Sequence, residues 1–377
     1  MITGEHLKTR LASLSVLVLL SFGLAGTPAR ACYICIALPE DTFADQILRS
    51  EAVILAREDP ARPFTFRSVA ILKGSLPPDP IPFLVDSATR RRLANAPDDA
   101  VLLVWGRPDR KRMGPFSTVR PEVEWQRLAY ADPEVRAMTA DVLARLDAWQ
   151  ADKSGLSRFN FFAGLHADRN STIRHIALSE LARAPYHYIK RLKTELTRAE
   201  IMAALADMTM APWAPTYILL LGRSDDPGCR DIVRAAISRA SRRGSGGNLA
   251  AWATALVEID GPAAVGKLSE AYFRDPMRSI DELKSVVAAL GIQGSDGDPA
   301  LRPGIARAFH DLARLRPHMA PYVAKYLTDW NDWSQVDAFA SVLDSPLIDA
   351  PAERLVLSVY VRIGGENRRS ETSLASP

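Results

Sequence analysis

The spacing of apolar residues changes near Asp132, and that change divides the chain into two kinds of fold. Before it, short apolar runs alternate at period two. Ala52-Val53-Ile54-Leu55-Ala56 is a compact run ended by Glu58-Asp59-Pro60. Pro63 to Leu72 carries Phe64 and Phe66 on one face, and Val69 and Ile71 resume that face one residue out of phase. A bulge near Arg67-Ser68 would restore a single buried face. Ile81 to Val85, Ala100 to Trp105 and Val123 to Leu128 read as further strands, with Pro82 assigning its strand to an edge. Helices are expected over Thr42 to Arg49 and Ser87 to Asn95. Several short strands joined by Pro- and Gly-rich links specify a small barrel or sandwich. After Asp132 the period becomes 3.6: Val135, Met138, Val142, Leu143 and Leu146 share one helical stripe. Similar helices follow to about Arg362 with short connectors, and the polar stretch beyond reads as a disordered tail. The expected class is therefore α+β in two domains, 32–130 as a small β-barrel and 131–362 as an all-α domain, with 363–377 as the tail.

The first 31 residues have the pattern of an export signal. Lys8 and Arg10 precede an apolar core from Leu11 to Leu24, and Ala29-Arg30-Ala31 offers small residues at both positions a signal peptidase reads. Cleavage there makes Cys32 the first residue of the mature chain and places it in an oxidising compartment, periplasmic or secreted. A cysteine directly after the signal also leaves a lipid anchor at Cys32 open, although Ala29 stands where lipoprotein signals usually carry Leu. Three of the 47 basic and one of the 44 acidic residues precede Cys32, so 44 against 43 remain, a net charge of +1. That balance provides no general attraction for nucleic acid or anionic lipid. No later apolar run approaches the ~20 residues of a membrane span.

A short helix-start pattern recurs in the second half. Asp132-Pro133-Glu134-Val135-Arg136, Asn170-Ser171-Thr172-Ile173-Arg174, Asp226-Pro227-Gly228-Cys229-Arg230 and Asp298-Pro299-Ala300-Leu301-Arg302 are its copies. Asp or Asn caps the free N–H groups of a first turn, and proline suits the first helical position because its missing donor is not needed there. The fourth residue is apolar and enters the core, which makes Cys229 a buried small apolar side chain. The copies are spaced irregularly, and an irregular helical domain accounts for them as well as a stack does. On these starts the segment from Asp132 to Arg362 resembles HEAT-type α-solenoids, a resemblance that implies a curved interaction surface and no chemistry.

At the other end, Cys32-Tyr33-Ile34-Cys35 is followed by the helix with Phe43-Ala44-Asp45-Gln46-Ile47-Leu48, the strand Ala52 to Arg57, and a long strand ending Leu72-Lys73-Gly74. This layout resembles a netrin-like domain, the family that includes the tissue inhibitors of metalloproteases, over residues 32–130. The resemblance implies an OB-type barrel and a mature chain that starts with cysteine. The inhibitors begin Cys-x-Cys where this chain has Cys-x-x-Cys, so zinc chelation by the amine and carbonyl of Cys32 does not carry over directly. From the residues alone, Cys32 and Cys35 are site candidates as a short-range disulfide, as free thiols, as part of a metal site, as a redox pair or, for Cys32, as a lipid anchor.

No residues converge on a recognisable catalytic set, no cofactor is implied, and no catalytic or metal residue is assigned. There is no Gly-x-Ser-x-Gly elbow, no phosphate loop before Lys-Ser or Lys-Thr, and no His-Glu-x-x-His. Arg90-Arg91-Arg92, Arg110-Lys111-Arg112 and Arg239 with Arg242-Arg243 are read as solvated surface, and Phe159, Phe161 and Phe162 as helix core. The function expected is non-enzymatic, an exported scaffold that binds an envelope or extracellular protein. One alternative is a metalloprotease regulator acting through Cys32. Another is a metal-dependent enzyme using His166, Asp168, His175 or His187.

Overall fold

A computed structural model describes residues 41–75, 81–106, 124–244 and 247–374. Five antiparallel strands, β1 (Ala52–Asp59), β2 (Arg62–Lys73), β3 (Ile81–Leu84), β4 (Ala100–Gly106) and β5 (Glu124–Ala131), form one curled sheet in the order β3-β2-β1-β4-β5. The Ala52 and Ala100 runs become neighbours, β1 and β4, at the sheet centre. Both are apolar at nearly every position because both sheet faces are covered. Inside the curl, Ile54, Ala56, Val101, Leu103, Phe66 and Trp125 meet Leu93 of α2 (Ser87–Asn95). On the outer face, Val53, Leu55, Leu102 and Val104 join Phe43 and Ile47 of α1 (Phe43–Arg49). Pro82 lies in β3 at the sheet edge, as its missing donor requires.

Strand β2 departs from its expected face. Ala56 pairs with Ser68 and Leu55 with Ala70, so Val69 is the extra residue of a bulge. The slip does not bring Val69 and Ile71 inside: they are 43% and 51% exposed, and Phe64 is 46% exposed. Phe66 alone enters the inner core, while Ala70 and Leu72 turn to the outer one. The reason is reach, because β3 pairs only with Thr65 and Phe66 and, among the described residues, no other strand pairs with β2 on that side.

The end of β2 fixes α1. The Lys73 ammonium donates to the carbonyls of Ile47, Leu48 and Ser50 at 2.7, 3.0 and 2.7 Å, satisfying the last turn of α1, which has no partners within the helix. Gly74 follows at φ +70°, and a Cβ there would stand 1.9 Å from the Glu51 carbonyl oxygen. The Leu72-Lys73-Gly74 ending thus welds helix to sheet.

Beyond Asp132 the chain is helical. Asp132, Asn170 and Asp226 cap α3 (Pro133–Leu143), α6 (Ser171–Leu181) and α10 (Pro227–Arg243). Asp298 caps only a 3-10 turn, Pro299–Leu301, ahead of α14 (Arg302–Leu315). Between them lie α4 (Leu146–Ala151), α5 (Leu156–Ala163), α7 (Tyr186–Ile189), α8 (Arg198–Ala206), α9 (Ala214–Arg223), α11 (Leu249–Asp260), α12 (Pro262–Leu268) and α13 (Ile280–Asp296). The chain then continues through α15 (Ala320–Asp329), α16 (Val336–Leu343) and α17 (Pro351–Leu374). Helices α9, α11, α13, α15 and α17 pack side by side in one layer, and α10, α12, α14 and α16 pack against them in a second.

Side-chain bonds join helices along the array, several of them 34 to 39 residues apart. Asn170 donates to Asp132, 38 residues away, and Tyr188 to the Ser154 carbonyl, 34 away. Trp213 donates to Ser179 (34), Arg223 to Glu258 (35), Gln293 to the Thr254 carbonyl (39) and Trp330 to Ser295 (35). Other bonds between helices span from 22 residues, His310 to Asp332, to 109, His187 to Asp296, so the array is tied together over many ranges.

The outer face of the sheet shares its core with Val135, Met138, Val142, Trp149, Phe162 and Ile173 of the first helices. The polar stretch from residue 363, expected to lack structure, continues α17 to Leu374. Gly364 lies against Val336 and Trp333, and Arg368 holds both carboxylate oxygens of Asp337 at 2.8 Å.

Two substitutions test the weld. Gly74→Ala should lower stability by about 2 kcal/mol or more, because the new methyl group meets backbone rather than a movable side chain. Lys73→Met should lower it by roughly 1–3 kcal/mol by stripping three carbonyls of their donor. Urea unfolding at neutral pH reads both, and unchanged midpoints would remove this role for the motif.

Candidate functional site

Cys32 and Cys35 lie outside the described residues. Cys229 is fully buried in the first turn of α10, as its place in the capping pattern requires. The description begins where the chain enters α1, and there the sheet and the helices meet through one cation. Thr42 and Asp45 form a capping box at the start of α1. Arg158 of α5 reaches both: its Nη1 donates to Asp45 Oδ1 at 2.7 Å and its Nη2 to Thr42 Oγ1. Arg158 also forks onto Glu180 of α6, from Nε at 3.0 Å and from Nη2 at 2.6 Å. The other Glu180 oxygen accepts the Ala44 N–H at 2.8 Å.

Burial acts on all three ionisable groups, with different outcomes. It pushes the Glu180 carboxyl above its ordinary value, and the Arg158 charge opposes this only in part. Burial would raise Asp45 as well, but Arg158 and the Thr42 donors outweigh it and hold Asp45 low. Burial disfavours the Arg158 charge, yet Glu180 and Asp45 more than restore it. A cleft of ≈ 240 Å³ opens beside the cluster, walled by Phe159, Leu181, Arg183 and Tyr188. The three charges are directed at one another, so the cluster is built for joining and offers the cleft no uncommitted acid or base.

The histidines do not converge. His166 is buried, with Nδ1 2.6 Å from the Ala163 carbonyl and Nε2 2.9 Å from the Thr194 hydroxyl. Asp168 accepts the Asn170 N–H and so shapes the entry to α6. His175 stacks on Trp213 at 4.3 Å, and burial lowers its pKa. His187 faces Asp296 at 3.2 Å. Each of the four thus has its own partner on a different part of the array. Among the described residues no three His, Cys, Asp or Glu side chains are placed to hold a metal.

A grouping that spacing did not reveal is His310, Asp332 and Ser334. Serine, histidine and aspartate together invite comparison with a hydrolase triad, but the roles do not fit. His310 Nε2 faces both Asp332 Oδ2 at 3.0 Å and Ser334 Oγ at 3.2 Å, and Ser334 donates to Asp332 at 2.6 Å. A triad uses opposite ring nitrogens for serine and carboxylate. The Ser334 N–H also closes onto Asp332 Oδ1, so this is a turn brace. Its sequence signal is the Asp-x-Ser pattern of such a turn.

The basic clusters are largely absorbed by neighbouring acids or bonds. Arg90 pairs with Glu58, Arg92 with Asp99, and Arg242 donates to Ser238, while Arg110, Lys111 and Arg112 lie outside the described residues. Phe159 and Phe162 are core, as read from sequence.

Large apolar side chains are exposed around the starts of α13, α15 and α17, as they are at Met208 ahead of α9. Met277 is 87% exposed, Leu355 65%, Leu347 53% and Ile280 49%, with Leu315 and Val356 also open. Three bonds draw these positions onto one rim. Arg316, next to Leu315, donates to the Asp275 carbonyl beside Met277. The Lys284 ammonium lies 4.4 Å over the Tyr322 ring, and the Tyr322 hydroxyl donates to Glu353 at the start of α17. The rim thus links α13, α15 and α17, with exposed apolar side chains set among charged ones. Compared with known protein families, curated proteins and solved structures, the chain gives no match.

The Arg158 cluster predicts a pH-dependent variant. Asp45, held low, contributes stability above its ordinary value near 3.8 that is lost as pH falls through the lower folded value. Glu180, pushed up, has the opposite sign: its contribution is present below its ordinary value near 4.5 and lost as pH rises through the higher folded value. Arg158→Met leaves both carboxyls without their cation and should destabilise by about 3 kcal/mol at pH 7. The loss should shrink as pH approaches 4 and the two acids take up protons. Denaturant melts of both proteins at the two pH values check this, and an equal loss at both would contradict it.

Proposed function

We propose that the protein is an exported, non-enzymatic scaffold of the cell envelope. Its helical array is a HEAT-like stack whose open rim docks a protein partner. Its sheet is the netrin-like or OB-type head that Cys32, Cys35 and the Leu72-Lys73-Gly74 ending suggest. The single observation behind this reading is the row of exposed apolar side chains, Met277, Ile280, Leu315, Leu347 and Leu355, on units tied to one another by side-chain bonds. Isolated exposed apolar residues are ordinary on a surface, whereas a linked row is the usual mark of a docking face. Units held at fixed spacing present such a row as a rigid surface, which limits the ordering loss on binding.

The test compares the parent chain with a Met277→Asp, Leu315→Asp, Leu355→Asp variant in chemical cross-linking to envelope extract. These positions are exposed, so each change should alter stability by no more than about 0.5 kcal/mol. The parent should yield a discrete cross-linked partner that the folded variant loses. Cross-linking that is indifferent to the three aspartates would refute the docking rim.

A further inference from the structure

Phe159 and Tyr188 stand with ring centres 5.3 Å apart and divide two cavities. One is the cleft beside Arg158. The other, of ≈ 310 Å³, opens between α5 and the chain that leaves α7. Its inner wall is apolar, formed by Leu156, Phe159, Ala163 and Leu192. Tyr188 is fixed by its own bond, donating to the Ser154 carbonyl at 3.0 Å, so the dividing wall is rigid.

The mouth has the opposite chemistry. After α7 the chain runs Arg191-Leu192-Lys193. Leu192 turns inward at 8% exposure, while Arg191 and Lys193 on either side line the opening and are exposed. Asn160 of α5 adds an exposed amide to the same opening. Among the described residues no ion pair engages Arg191 or Lys193, in contrast to Arg158, Arg223 and Arg278, each of which has a carboxylate. The site therefore combines an apolar throat with two cations and an amide at its mouth, and no acid lines it.

The geometry points to a binding site for a small amphipathic anion, with an apolar chain or ring seated between Leu156, Phe159 and Leu192 and a carboxylate or phosphate held by Arg191 and Lys193. The volume is at the small end of ligand sites, which favours a short apolar body over an extended one. Arginine can grip either head group bidentately, lysine adds a point charge, and the Asn160 amide can donate to the same oxygens. The same chemistry is available from a free small molecule and from the head group and chain of an anionic lipid. This inference is independent of the docking rim, which lies on other helices.

Calorimetric titration with octanoate, octyl phosphate, octanol and inorganic phosphate tests it. Octanoate and octyl phosphate should bind saturably at one per chain, and octanol and inorganic phosphate should each bind at least about tenfold more weakly, since each offers only half of the match. Arg191→Glu with Lys193→Glu should weaken the two amphipathic anions by about tenfold or more and leave octanol unchanged. Ala163→Phe, which fills the throat, should weaken all three octyl compounds. Absence of saturable binding, octanol binding as tightly as octanoate, or anion binding untouched by both variants would overturn the site. A second arm uses phosphatidylglycerol–phosphatidylcholine vesicles beside phosphatidylcholine alone. Retention on the anionic vesicles that the double glutamate variant loses, together with octanoate binding, supports the site with lipid as its source. Octanoate binding without retention supports it with a free ligand. Retention without octanoate binding overturns it, because surface charge alone would then explain the result.

Discussion

The Arg158 guanidinium is the point on which the two halves of the molecule depend. It lies between carboxylates from separate elements, Asp45 at the head of α1 and Glu180 on α6, and its partners leave neither acid exposed to a purely apolar neighbour. Two buried acids brought together without a cation would repel each other and carry a large desolvation penalty. With the cation in place, the start of α1, the outer face of the sheet and the first helices close over one core. Lys73 completes the arrangement from the opposite end of α1 by holding its last carbonyls against the sheet. The first helix is thus fastened at both termini by cations borrowed from other elements.

Features decided locally were legible in the sequence. Asp132, Asn170 and Asp226 each cap a helix because a short polar side chain needs only the next turn of backbone to do so. The Ala52 and Ala100 runs could be assigned to strands from their own composition, and the edge position of Pro82 followed from its missing donor. The meaning of Lys73 was hidden, because its three acceptors belong to residues more than twenty positions earlier. The faces of β2 were misjudged for a similar reason: alternation says which residues share a side, but only the reach of β3 decides whether that side is covered. The final helix was missed because Gly364 and Arg368 obtain their partners from α16 and the turn before it, so composition alone gave no sign of order.

The polar constellations show how readily chemistry can be mistaken for architecture. His166, His175 and His187 were the natural metal candidates, yet each is held by a separate partner. His310, Asp332 and Ser334 do meet, but on one ring nitrogen, which suits a brace and not proton transfer. Among the described residues, the exposed apolar side chains at the starts of α13, α15 and α17 and the cation-rimmed throat beside α5 stand apart from these internal pairings.

Several glycines of the array stand where neighbouring helices meet. A Cβ at Gly222 would stand 2.8 Å from Ala255, at Gly291 2.3 Å from Tyr326, and at Gly294 2.4 Å from Trp330. All three belong to the layer of α9, α11, α13, α15 and α17. In the other layer Gly266 has nothing within 4 Å and Gly304 meets only Arg307 at 3.9 Å, whereas Gly228 of α10 stands against the Arg198 guanidinium. Helix axes can approach most closely where side chains are smallest, so Gly222 and the Gly291–Gly294 pair fix how near α9 comes to α11 and α13 to α15. A single methyl group at any of the three would wedge those helices apart.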